Sequence, residues 1–150
     1  MGLDCYMVHA SDQKKAFTSE DDQRLVDIQL CCGLFSGGGS DGSFRGKVYE
    51  PLIDYLCGGE YIWHKESKDP AIMPIVTNDE LADQAHRLRD LLEATKEVAE
   101  ENEEPLQDDT IVIQVEQRGS IIDYTYKEVR DLELLLRATV EGGGVMQVWW

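Results

Sequence analysis

TNDELADQAHRLRDLLEATKEVAEE, residues 77–101, is the stretch whose reading decides the fold. Thr77 and Glu80 stand in capping-box spacing: the threonine hydroxyl can accept from the Glu80 amide while the Glu80 carboxylate reaches back. Such a start stabilises a helix by roughly 1 kcal/mol. Leu81, Ala85, Leu88, Leu92, Thr95 and Ala99 alternate steps of four and three and so share one face, which Leu91 and Val98 widen. Asp83 with Arg87, and Arg89 with Glu93, are charge pairs one turn apart on the wet side. The spacing predicts one long amphipathic helix. It should fray beyond Ala99, where Glu100, Glu101, Glu103 and Glu104 add charge to an end the macrodipole already makes negative. Pro105 closes the segment.

A second helix follows from the same logic. Thr125 and Glu128 repeat the capping-box spacing, and Val129, Leu132, Leu136 and Val140 line one face with Leu135 beside them and a Glu133–Arg137 pair. Gly142, Gly143 and Gly144 stop it. Before it, TIVIQVE (110–116) puts Ile111, Ile113 and Val115 on one side, and QRGS (117–120) can turn that strand into a partner at 121–125. The chain ends in VMQVWW, a last strand. It opens with LDCYMVH (3–9), a first strand, followed by a polar loop over 10–19. Ser19 precedes three acids, so a short helix can run to about Asp27; Leu25 to Cys32 fit a buried strand equally well.

The glycine-rich run over 36–42 must be loop, since each glycine would cost a helix about 1 kcal/mol. Ser43 can cap a helix carrying Phe44, Val48, Leu52 and Leu56, with Tyr49 and Ile53 beside them. Pro51 then either kinks that helix or sits in the first turn of one beginning near Glu50. Gly58 and Gly59 end it. Residues 60–66 read as a short strand or extended segment, and 67–76, with two prolines, lead into the long helix. Together these elements predict a single α+β domain over 1–150. A mixed or antiparallel sheet of about four or five short strands is packed by two long amphipathic helices and one or two shorter ones.

Composition bounds the function. A 150-residue chain that is 42% hydrophobic can bury enough surface to fold without a metal or disulfide staple. Its formal charge is −16, and residues 79–109 hold 12 acids against 3 bases. That field repels phosphate backbones and anionic lipid, so nucleic acid and membrane are poor partners and a basic protein is a better one. Neither a secretion signal nor an apolar membrane span is evident, which places the chain in the cytoplasm with reduced thiols. Cys5, Cys31, Cys32 and Cys57 include no Cys-x-x-Cys pair and read as small apolar residues.

Candidate sites are few. A strand, a glycine loop, Lys47 and a helix resemble a phosphate loop in order but not in spacing: Asp41 stands where the first glycine belongs, and Val48 replaces the magnesium-binding hydroxyl. Ser43, Arg45 and Lys47 remain as a small basic island able to hold an anion, unless the chain's own acids pair with them. The segment SFRGKVY (43–49) also resembles small bacterial proteins of unknown function with a Ser-Phe-Arg-Gly-Lys-x-Tyr segment. That resemblance implies a bacterial source and a structural or recognition role, and no activity. His9, His64 and His86 are scattered, so neither a metal site with Cys5 or Cys57 nor a cysteine–histidine pair is indicated, and no cofactor is expected. Trp149 and Trp150 cannot both be comfortable in water; one should pack on the domain while the other covers the sheet or meets a second copy.

No catalytic constellation is legible. The sequence therefore reads as a non-enzymatic interaction module, an inhibitor or immunity-type partner of a basic protein, with Glu100, Glu101, Glu103, Glu104, Trp149 and Trp150 as interface residues. The alternatives are a binder or enzyme for a small anion using residues 36–47, and a structural subunit of a homo-oligomer joined through the C-terminal strand.

Overall fold

The computed structural model describes residues 3–31, 43–66, 69, 71–103 and 111–149. The chain is α+β. In order it forms β1 (Asp4–His9), a 3-10 turn (Gln23–Leu25), β2 (Ser43–Arg45), α1 (Gly46–Cys57), β3 (Ile75–Val76), α2 (Asn78–Glu101), β4 (Val112–Gln117), β5 (Ser120–Thr125), α3 (Tyr126–Glu141) and β6 (Gly144–Trp149). One antiparallel sheet has the order β2-β1-β6-β3; β4 and β5 form a second, two-stranded one.

Both capping boxes form as the spacing predicts, with Thr77 accepting from the Glu80 amide and Thr125 from the Glu128 amide. Leu81, Ala85, Leu88, Leu92 and Ala99 are buried on α2; Val129, Leu132, Leu135 and Leu136 are buried on α3. Glu133, itself buried, joins the two helices: it accepts from Arg137 at 2.8 Å and from Arg89 at 3.3 Å. Arg89 thus pairs across to α3 rather than with Glu93, because a buried carboxylate is a stronger acceptor than one exposed to water. The α2 helix runs to Glu101, where the sequence places its end, with buried Ala99 in its last turn.

Alternation divides the larger sheet. Cys5, Met7, Phe44, Val76, Met146 and Val148 point into the core, which is continuous with the side chains of β4, β5 and all three helices. The other face carries Arg45, Asp4 and Trp149 in one row across β2, β1 and β6, with Ser43, Tyr6, Gln147 and Ile75 in the next. Gln147 donates from that face to the Gln13 carbonyl at 3.2 Å, fixing the loop that follows β1.

Four local readings are decided by the structure. Ser43 does not cap a helix: it lies in β2, Arg45 occupies the cap position without a side-chain bond, and α1 begins at Gly46. Pro51 sits within α1. It deprives the Lys47 carbonyl of its partner, and at the next carbonyl, Val48, the Tyr124 hydroxyl donates at 2.7 Å. Residues 60–66 form no strand: 60–63 make a bend and a turn, and 64–66 belong to no regular element. Among the described residues of 19–31, neither a helix of several turns nor a strand forms, and Cys32 lies outside them. Asp22 caps the short 3-10 turn, after which Ile28 and Leu30 are buried by an irregular backbone. The glycine loop at 36–42 lies outside the described residues.

Candidate functional site

The residues singled out in the sequence fall on two surfaces, and the structure adds a third. Ser43, Arg45 and Trp149 share the outward face of the larger sheet, Arg45 and Trp149 flanking Asp4. Neighbouring strands are about 4.8 Å apart, so Arg45 and Trp149 stand roughly 10 Å from each other. Trp149 is 60% exposed; Trp150 lies outside the described residues. Arg45 and Lys47 are exposed and make no ion pair among the described residues. Among the described residues their backbone does not form a phosphate cradle, though. The Arg45 and Lys47 amides already donate to the Cys31 and Leu3 carbonyls, and a Cβ on Gly46 would stand 2.5 Å from Cys5 Sγ. Gly46 serves close packing.

The second surface is α2. Asp79, Asp83, Asp90, Glu93, Glu97, Glu100 and Glu101 are spaced at three, four or seven, so their exposed carboxylates run down one side of the helix. At 1.5 Å per residue this stripe is about 33 Å long. His86 lies within it, 3.5 Å from Asp90, and Arg87 flanks it, 2.9 Å from Asp83. Arg89 has turned to Glu133. From Glu93 onward no ion pair neutralises the stripe among the described residues. Glu103 follows with φ +54°, and Glu104 lies outside the described residues.

The third surface was missed. On α1, Glu50 and Asp54 are buried, one turn apart. Asp54 accepts from the Tyr61 amide at 3.0 Å, the Ile62 amide at 3.0 Å and the Arg118 guanidinium at 3.0 Å. Glu50 accepts from the Trp63 amide at 2.9 Å, and His64 Nδ1 lies 2.8 Å from its carboxylate. Trp63 is buried and donates its indole N–H to Gln84. Two carboxylates therefore supply the acceptors that a strand would otherwise give residues 61–63, and Tyr61, His64 and Arg118 emerge together above them. Burial pushes the Glu50 carboxyl up from its usual range, and the His64 ring pulls against that shift. The available sequence signal was acids at 50 and 54, adjacent to Tyr49 and Ile53 on the apolar arc.

Other chemistry is thinly represented. Among the described residues no group of three or more His, Cys, Asp or Glu is placed to hold a metal. Cys5 is buried, as expected of a small apolar residue, whereas Cys31 is exposed; both are free thiols, as is Cys57. Burial pushes the thiols of Cys5 and Cys57 above their ordinary range, the opposite of an activated nucleophile. Among the described residues no helix is long and apolar enough to cross a membrane. No protein-family model, no characterised protein and no solved structure matches the chain.

Proposed function

We propose that this chain is a non-enzymatic interaction module that receives a basic protein along α2, in the manner of an inhibitor or immunity-type partner. The observation that supports this reading is the exposed carboxylate stripe, whose C-terminal half has Lys96 as its one cation on α2, makes no ion pair among the described residues and ends where the macrodipole adds negative potential. Such a surface steers a cationic partner and fixes its register more than it supplies raw affinity.

The test uses an oligolysine peptide at low and high salt. Binding should weaken steeply as salt rises. Replacing Glu93, Glu97, Glu100 and Glu101 with Gln should weaken it by about tenfold, while neutralising exposed Glu20, Asp27, Glu60 and Glu66 should cost far less. Equal loss in both variants, or binding that ignores salt, removes the reading.

A second reading, an anion binder at Ser43, Arg45 and Lys47, draws on two cations that make no ion pair among the described residues. Phosphates, carboxylates and nucleotides should then raise the melting temperature of wild type but not of Arg45→Ala. No shift across that panel removes it.

A further inference from the structure

Among the described residues the β4–β5 hairpin leaves one strand edge unpaired. Its two-residue turn at Arg118–Gly119 has φ of +53° and +77°, the type I′ geometry, so Gln117 and Ser120 are the closing hydrogen-bonded pair. At the other end the Tyr126 amide donates to the Ile111 carbonyl, which confirms the alternation. Ile121 and Asp123 must then aim their amide N–H and carbonyl groups away from β4. Among the described residues those groups meet no partner. The side chains along this edge are apolar on both faces: Ile121 is 66% exposed on the outward side and Ile122 is half-buried on the inward side. Asp123 lies next on the outward side, and Glu116 stands across from Ile121.

We infer that β5 receives an extended strand of a basic partner by edge addition. This rests on the acidic-module reading above and names the form in which the partner is held. Backbone bonds to Ile121 and Asp123 set the register. Apolar partner side chains cover Ile122 on the inward face, and lysines or arginines on the outward face lay their stems over Ile121 and their charges against Asp123 and Glu116. A second copy fits less well. Each chain carries −16, and an antiparallel self-pair centred on Ile122 sets each Asp123 against Ile121 of the other chain with no cation nearby.

The test is amide hydrogen exchange, read by NMR on the full chain, with an acetylated and amidated Lys-Val-Lys-Val-Lys peptide. Three controls accompany it: its backbone N-methylated form, oligolysine, and the chain alone at rising concentration. The first peptide should slow exchange at Ile121 and Asp123 by about tenfold, and the N-methylated form should not. Ile121→Pro removes a donor the hairpin itself does not use and should abolish the effect. Should that variant disturb the hairpin, the N-methylated peptide still decides on wild type. Peptides that bind and shift only α2 signals overturn the edge inference and leave the acidic-module reading standing. Slowing that appears with concentration alone, without peptide, overturns it in favour of self-pairing. If no cationic peptide binds at low salt, both readings fall.

Discussion

The Arg118 guanidinium lies over the Tyr61 ring, 4.1 Å from its centroid, and both residues hold φ at +53°. A left-handed backbone costs a non-glycine residue about 1 kcal/mol, so two such residues meeting face to face need a common restraint. Asp54 is that restraint: it is fully buried and bonds to Arg118 and to the amides of Tyr61 and Ile62. Arg118→Met should therefore destabilise the fold by about 2 kcal/mol, because Asp54 keeps its amide donors but loses its cation. Urea unfolding measures it. Adding Asp54→Asn to that variant should cost less than Asp54→Asn does alone, the sign of a coupled pair. Additive losses would mean the stacking is incidental.

The same contrast explains what the sequence revealed. The capping boxes of α2 and α3 were readable because both partners lie three residues apart, and the Arg118–Gly119 turn because its glycine marks a left-handed position. By contrast β2 and β3 span only a few residues and exist through their pairing with β1 and β6, which no local pattern encodes. The cluster of Glu50, Asp54, His64 and Arg118 depends on a helix, a turn segment and a hairpin converging. Arg89 shows the limit from the other side: its one-turn neighbour Glu93 was a sound local expectation, and a buried acid on another helix outcompeted it.

Acid should weaken the fold partly through Glu80. Burial alone would raise its carboxyl, but hydrogen bonds from Lys65 and from Thr77 outweigh that and hold it below the ordinary range. A depressed folded value means its contribution is present above the unfolded carboxyl range, near pH 4, and is lost as pH falls through the folded value. Glu80→Gln should thus lower the melting temperature at pH 7 and converge on wild type at pH 3. The loss should stay under about 1 kcal/mol, since the Lys65–Glu80 pair is solvent-screened. A difference that persists unchanged at pH 3 would place its origin in packing.

Gly46→Ala separates two roles for a glycine beside a lysine. Alanine suits a helix better than glycine, so an open anion-binding turn would tolerate or gain from the change. Here the new methyl carbon would stand 2.5 Å from Cys5 Sγ and 3.1 Å from the Leu3 side chain. The variant should lose about 1–3 kcal/mol to overpacking, measured by urea unfolding. Cys5→Ala in the same chain removes the sulfur and should recover part of the loss. Stability at or above wild type for Gly46→Ala alone would return the segment to the ligand-binding reading.

Trp149 tests whether the outward sheet face is a contact between copies. It stands 60% exposed at the end of β6, opposite Asp4 and in the same row as Arg45. A large ring left in water on a strand end is the feature an oligomer would cover, and burying it would gain on the order of 2–3 kcal/mol per copy. Against that stands the repulsion of two chains at −16 each, which weakens as salt rises. If copies meet through this face, wild type should elute as a larger species whose share grows with both protein concentration and salt. Trp149→Ser should elute as the monomer throughout. Its fold should be intact, because the core-facing neighbour Val148 is untouched. Identical monomeric elution of both proteins at high salt would remove the homo-oligomer reading. It would also leave Trp149 and Arg45 as a free aromatic and cationic pair on an otherwise acidic molecule.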